Sequence, residues 1–130
     1  MSKVDTVGAQ LITIDDDEEA TAAAAERLLR ELRQSDDLAS LRRAPRPTAV
    51  PVGARSGELL ELGTLLATLA AQPEVVAGVL AVVADWQRRR GRGRVEVRIG
   101  EHELILDNAT ADEQRRLTEA FIDRIFPSGP

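Results

Sequence analysis

The 130-residue chain has no cysteine and no tyrosine, one histidine (His102), and three aromatic side chains, Trp86, Phe121 and Phe126. Without cysteine there is no thiol nucleophile, no disulfide frame and no cysteine-ligated zinc. A single histidine leaves one candidate base for a nucleophile–histidine–acid triad. Three scattered rings do not build a stacking platform for single-stranded nucleic acid. Lysine is also scarce: Lys3 stands alone and every other basic residue is arginine. Arginine's planar fork pairs carboxylates and phosphates bidentately, which a lysine point charge does not. No catalytic, cofactor-binding or metal-ligating residue is assigned, and the expectation is a protein that is not an enzyme.

What is present suits one domain. Apolar residues make up 43% of the chain, and 22 acidic against 17 basic side chains give a formal net charge of -5. The excess of alanine, leucine, valine and arginine matches the usage of a GC-rich genome such as an actinobacterium's. The start lacks the basic and apolar pattern of a secretory signal, since Asp5 and the run Asp15–Glu19 occupy it, so the expected compartment is the cytoplasm.

The order of patterns predicts an α+β domain. Residues 1–8 read as a loose leader, 9–126 as a single domain and 127–130 as a tail. Ala9–Ile14 reads as a strand. Asp15 or Asp16 can cap a helix from about Asp17 to Gln34, with Ala22, Ala25, Leu28, Leu29 and Leu32 as its apolar stripe. Residues 36–57, broken by Pro45, Pro47, Pro51, Gly53 and Gly57, form an irregular stretch in which Thr48–Val52 could be a short edge strand. Ser56 caps a helix over about Gly57–Ala71, and Pro73 with Glu74 opens another to about Arg89. Arg94–Ile99 and His102–Leu106 alternate around Gly100-Glu101 as a β-hairpin. Thr110 and Glu113 form a capping box for a last helix, Ala111 to Ile125, with Leu117, Phe121, Ile122 and Ile125 apolar. The expected architecture is a three- to four-stranded antiparallel or mixed sheet with helices on one face, in the order β-α-(β)-α-α-β-β-α.

Each charged cluster has a plain reading beside a functional one. The acidic run lacks the spaced ligands and central glycine of a calcium loop and reads as a solvated helix start. His102, between Glu101 and Glu103, reads as a surface residue. The GRGR sequence follows a helix and lacks the Gly-Lys-Ser/Thr of a phosphate loop. Arg88, Arg89, Arg90, Arg92, Arg94 and Arg98 are the densest charge feature. They read as pairing with acidic surface of this chain or a partner, ahead of phosphate binding on nucleic acid or lipid. The acidic net charge disfavours nucleic acid.

Residues 59–86 raise the main question. Read as a helical pair, they carry more apolar surface than one small sheet needs. Leu65, Leu69, Val76, Val79, Val83 and Trp86, with Arg88, Arg89, Arg90 and Arg92, are therefore the candidate interaction residues. Filling the core between helices is the competing reading. A membrane span is a further alternative, although Glu61 and Gln72-Pro73-Glu74 interrupt the run before it reaches the roughly 20 residues a span requires.

The chain also resembles a known family. An amino-terminal strand leads into a helix ending in Glu31-Leu32-Arg33. A Pro/Arg-rich connector and a Gly/Leu/Ala-rich segment closing in Ala84-Asp85-Trp86 follow, and then an arginine run and the VEVRI strand, Val95–Ile99. Over residues 8–126 this order is similar to the effector-associated constant component family, first type, of actinobacterial conflict systems. The resemblance implies a non-enzymatic α+β module encoded beside variable effectors, among them trypsin-like or caspase-like peptidases and nucleotide-dependent regulators. It implies an adaptor or signalling role in defence and supplies no catalytic residues. The expected partner is a protein effector of peptidase or NTPase type, with homo-oligomerisation a further expectation. The alternatives are membrane association through 59–86 with the arginine run, and an arginine-rich nucleic-acid-binding regulator.

Overall fold

The computed structural model describes residues 5–35, 38–44, 63–107 and 110–127. The chain order is β1 (Thr6–Ile14), α1 (Glu18–Arg33), β2 (Leu38–Arg43), β3 (Thr64–Ala70), α2 (Pro73–Arg90), β4 (Arg94–Ile99), β5 (His102–Leu106) and α3 (Ala111–Ile125). The five strands form one sheet in the order β2-β3-β1-β4-β5, antiparallel at every pairing. The three helices pack on one side of it. The α+β class and the one-sided packing are as the sequence predicts, with a larger and wholly antiparallel sheet. The first six elements follow the βαββαβ course of ferredoxin-like sheets, and the β5–α3 unit extends it past β4.

Local chemistry explains most element boundaries. Asp17, rather than Asp15 or Asp16, caps α1: its carboxylate accepts the Ala20 N–H at 2.7 Å. The buried stripe of α1 is Thr21, Ala24, Ala25, Leu28, Leu29 and Leu32, so Thr21 and Ala24 take places expected of Ala22. Pro73 starts α2 at the first helical position, where its missing N–H costs nothing. Gly91, at φ 71°, ends that helix, its N–H donating to the Gln87 carbonyl at 3.1 Å. Thr110 caps α3 by accepting the Glu113 N–H at 3.2 Å. Leu117, expected in the core, is 45% exposed, while Phe121 is fully buried.

The helix expected over Gly57–Ala71 is corrected: residues 64–70 are the strand β3. Leu65, Leu66 and Leu69 suit a helical stripe, but Leu65, Ala67 and Leu69 suit strand alternation equally. Short apolar runs do not separate the two periods. Pairing decides, because β3 is bonded on both sides, to β1 and to β2. The irregular stretch contains another strand, β2. Its register to β3 shifts between Leu38 and Ser40, and this bulge breaks the period-two pattern that would reveal it. The expected strand Thr48–Val52 and the Ser56 cap lie outside the described residues.

Period two sorts the sheet into two faces. Val7, Ala9, Leu11 and Thr13 of β1 share the helix side with Leu65, Ala67 and Leu69 of β3, Val95, Val97 and Ile99 of β4, and Leu104 and Leu106 of β5. Helix α2 touches β3, α1 and α3. With neighbours on three sides it buries Val76, Val79, Leu80, Val83 and Trp86 within one chain. Each such aliphatic contributes roughly 1.5–3 kcal/mol of burial free energy.

The turn from α2 into β4 depends on a second glycine. Gly93 sits at φ 67°, and a Cβ there would stand 2.5 Å from the Ile14 carbonyl oxygen and 2.9 Å from Arg90 Nη2. At Gly91 a Cβ would meet no atom within 4 Å among the described residues. Gly91→Ala should therefore cost only the left-handed penalty of about 1–2 kcal/mol. Gly93→Ala should cost distinctly more, because backbone must also move. Urea denaturation of both variants checks this, and equal losses would contradict it.

Candidate functional site

The ten residues proposed from sequence for interaction divide into two groups. Leu65, Leu69, Val76, Val79, Val83 and Trp86 are all buried in the core cluster. This corrects the expectation that they form surplus apolar surface for another chain. The surplus arose from reading β3 as a helix, and the three neighbours of α2 account for its apolar character. Among the described residues no helix is long and apolar enough to cross a membrane. Residues 59–86 do not form one helix, since β3 precedes α2.

The arginines are paired within the chain. Arg88 bonds Asp85 at 2.7 Å. Arg89 bridges Asp85 at 3.0 Å and Glu31 of α1 at 2.7 Å. The hydrogen bond to Glu31, and then that to Asp85, raise Arg89 above its ordinary pKa. On β4, Arg94 and Arg98 flank Glu96 at 3.1 and 3.4 Å, and Arg98 continues to Glu103 of β5 at 3.2 Å. The pairing with this chain's own acidic residues is thus the arrangement formed.

One pair is buried. Arg90 donates to Asp15, and their side chains are only 8% and 2% exposed. Arg90 also lies over the Trp86 ring, 5.0 Å from its centroid. Arg92 adds its charge at 3.6 Å from Asp15. The Asp16 N–H donates to the same carboxylate at 2.8 Å. Burial alone would raise the Asp15 pKa, but the Asp16 hydrogen bond, the Arg90 hydrogen bond and the charges of Arg90 and Arg92 hold it below the ordinary 3.8. The expected solvated run is therefore corrected at its first member. Strand alternation carries the signal: Leu11, Thr13 and then Asp15 continue the helix-facing side of β1.

The opposite face of the sheet is polar and shallow. It carries Gly8, Gln10 and Ile12 from β1, Leu66 and Thr68 from β3, Arg94, Glu96 and Arg98 from β4, and Glu103 and Ile105 from β5, of which Ile12 and Glu96 are buried. Ile105 is 44% exposed. Gly8, Gln10, Leu66, Thr68, Arg98 and Gly100 surround an open depression of about 540 Å³. Gly8 lines it without any need of the fold, because its φ is not positive and an added Cβ would meet nothing within 4 Å among the described residues. No aromatic side chain stands on the outer face of β1 or β3, where RNA-recognition sheets of this topology stack bases. Among the described residues no three of His, Asp and Glu converge as a metal set. His102, on the hairpin opposite Ile99, is half-buried.

Comparison of the chain with protein-family models, with curated proteins and with solved structures finds no match.

The geometry sets a stability contrast. Asp15→Asn leaves Arg90 buried without its counter-charge and should cost about 3–5 kcal/mol, whereas Arg88→Ala, at an exposed pair, should cost about 1 kcal/mol or less. The depressed Asp15 pKa also gives a sign. Its contribution is complete above the unfolded value near 3.8 and is lost as pH falls below that, through the folded value. The stability gap between wild type and Asp15→Asn, followed by denaturant melts against pH, should be flat above pH 3.8 and shrink below it. A gap that widens in acid would contradict the assignment.

Proposed function

We propose that this chain is a non-enzymatic adaptor module that docks a protein effector on the face of its sheet opposite the helices. The observation that carries the reading is Gly8. A glycine inside a strand costs about 0.5–1 kcal/mol relative to a residue with a side chain. No turn, positive φ or close approach among the described residues requires one here. Strand glycines of this kind mark places where another molecule comes close to the backbone. Half-buried Leu66 adds apolar contact beside the polar groups of Gln10, Thr68 and Arg98, and exposed Ile105 lies on the same face beside Glu96. That mixture suits a protein surface.

The resemblance to effector-associated constant components supplies the partner class, a peptidase or NTPase encoded nearby in a conflict system. Nucleic acid is the weaker reading on this face, given the net charge of -5, the paired arginines and the absence of outward rings on β1 and β3.

The test uses the full chain and the products of its neighbouring genes, mixed pairwise and followed by calorimetry. One neighbour, of peptidase or NTPase type, should bind. Gly8→Phe should fill the depression and weaken that binding at least about tenfold. Its side chain has open space, so the melting temperature should not fall. Binding that is indifferent to Gly8→Phe, or no neighbour binding at all, would overturn the proposal.

A further inference from the structure

A second concavity, of about 490 Å³, opens on the helix side of the sheet and is lined by Arg27, Trp86, Arg89, Arg90 and Arg92. Helix α1 supplies Arg27, the end of α2 supplies Trp86, Arg89 and Arg90, and the turn after Gly91 supplies Arg92. Four of the five lining residues carry a guanidinium. In a chain with a net charge of -5 this is a local reversal of sign.

The carboxylates beside it do not balance it. Arg88, Arg89, Arg90 and Arg92 pair with Asp85, Glu31 and Asp15, and Arg27 has no ion pair among the described residues. Arg88 shares Asp85 from outside the concavity, so the four lining guanidiniums meet three carboxylates and one positive charge is left over. An independent observation points the same way. Arg90 is more than nine-tenths buried on the wall of this concavity, and its Nη1, itself closed to solvent, has no hydrogen-bond acceptor among the described residues. A buried charged donor without an acceptor is costly, and an anion at the mouth of the concavity would offset part of that cost through charge. The Trp86 ring beneath it excludes water from one side and strengthens any charge interaction there.

We infer that Arg27, Arg89, Arg90 and Arg92 form a binding site for an oxyanion of the phosphate class. The chemistry matches in two respects. The surplus charge, carried by Arg27, suits an anion, and planar guanidinium forks suit tetrahedral phosphate oxygens bidentately. Free phosphate, pyrophosphate and a phosphate monoester share this chemistry. The site is separate from the Gly8 depression and does not depend on what docks there.

The full chain, in phosphate-free buffer at fixed ionic strength, should be titrated with inorganic phosphate, pyrophosphate and phosphoserine, following amide and arginine Nε resonances. Saturable shifts centred on Arg27, Arg89 and Arg92 are expected. Their relative affinities tell a free anion from a monoester. Arg27→Gln and Arg92→Gln remove exposed side chains and should each weaken binding about tenfold, the worth of one charge-assisted hydrogen bond. The melting temperature without anion should stay nearly unchanged in both. A 20-nucleotide single-stranded RNA serves as the polyanion control. The inference is overturned if none of the three small anions gives a saturable shift, if only the RNA binds, or if both variants keep wild-type affinity.

Discussion

A carboxylate that leaves water must find a counter-charge, and the Asp15 side chain has left water almost completely. Its partner Arg90 lies 75 residues further along the chain. The pair joins the end of β1 and the approach to α1 to the last turn of α2. Much local detail follows from that constraint. The cap of α1 moves to Asp17, which leaves Asp15 available for Arg90. Gly93 must lack a side chain, because Ile14 and Arg90 occupy the space a Cβ would need. Gln87 secures the same turn, donating from Nε2 to the carbonyls of Arg92 and Gly93 at 3.0 and 3.1 Å. Arg92 then points its charge back toward Asp15. The buried pair therefore organises the neighbouring arginines as well as the fold.

Elements whose pattern has one period were legible in the sequence. Val95, Val97 and Ile99 alternate without interruption, and the hairpin follows the expected boundaries. The stripes of α1 and α3 are wide enough to identify helices, although Leu117 shows that a stripe does not guarantee burial at its margin. Failures occurred where two periods fit or none did. Leu65, Leu66 and Leu69 satisfy a helix, and only the pairing of β3 with strands at distant positions excludes one. In β2 the bulge at Leu38–Ser40 puts Leu38 and Leu41 on one side without the regular spacing of two. Of the candidate site, the arginine run was legible as charge. Its acceptors Glu31 and Asp15 were not, since long-range partners leave no mark on local spacing.

The misread strand had a consequence for function. Counting residues 59–86 as two helices creates apolar surface with nowhere to go. Once β3 is a central strand, Leu65 and Leu69 face the helices, and α2 is enclosed by β3, α1 and α3. Its three neighbours then bury Val76, Val79, Leu80, Val83 and Trp86 within this chain. The surface proposed for a partner is the side of the sheet opposite the helices.

That side and the arginine concavity differ in how they could select a ligand. On the sheet, Arg94, Glu96, Arg98 and Glu103 form a ladder in which charges of opposite sign alternate, so the field above it is nearly neutral. Shape and hydrogen bonding around Gly8 must then discriminate between partners. Between α1 and α2 the balance is the reverse: surplus positive charge dominates and the shape is open. The sheet separates the two surfaces, so occupation of one leaves the other accessible. On the two proposals, a module built this way would hold a protein on one face by fit and an anion on the other by charge. Arg90 joins the anion site to the turn before β4, the strand whose Arg98 borders the protein-facing depression.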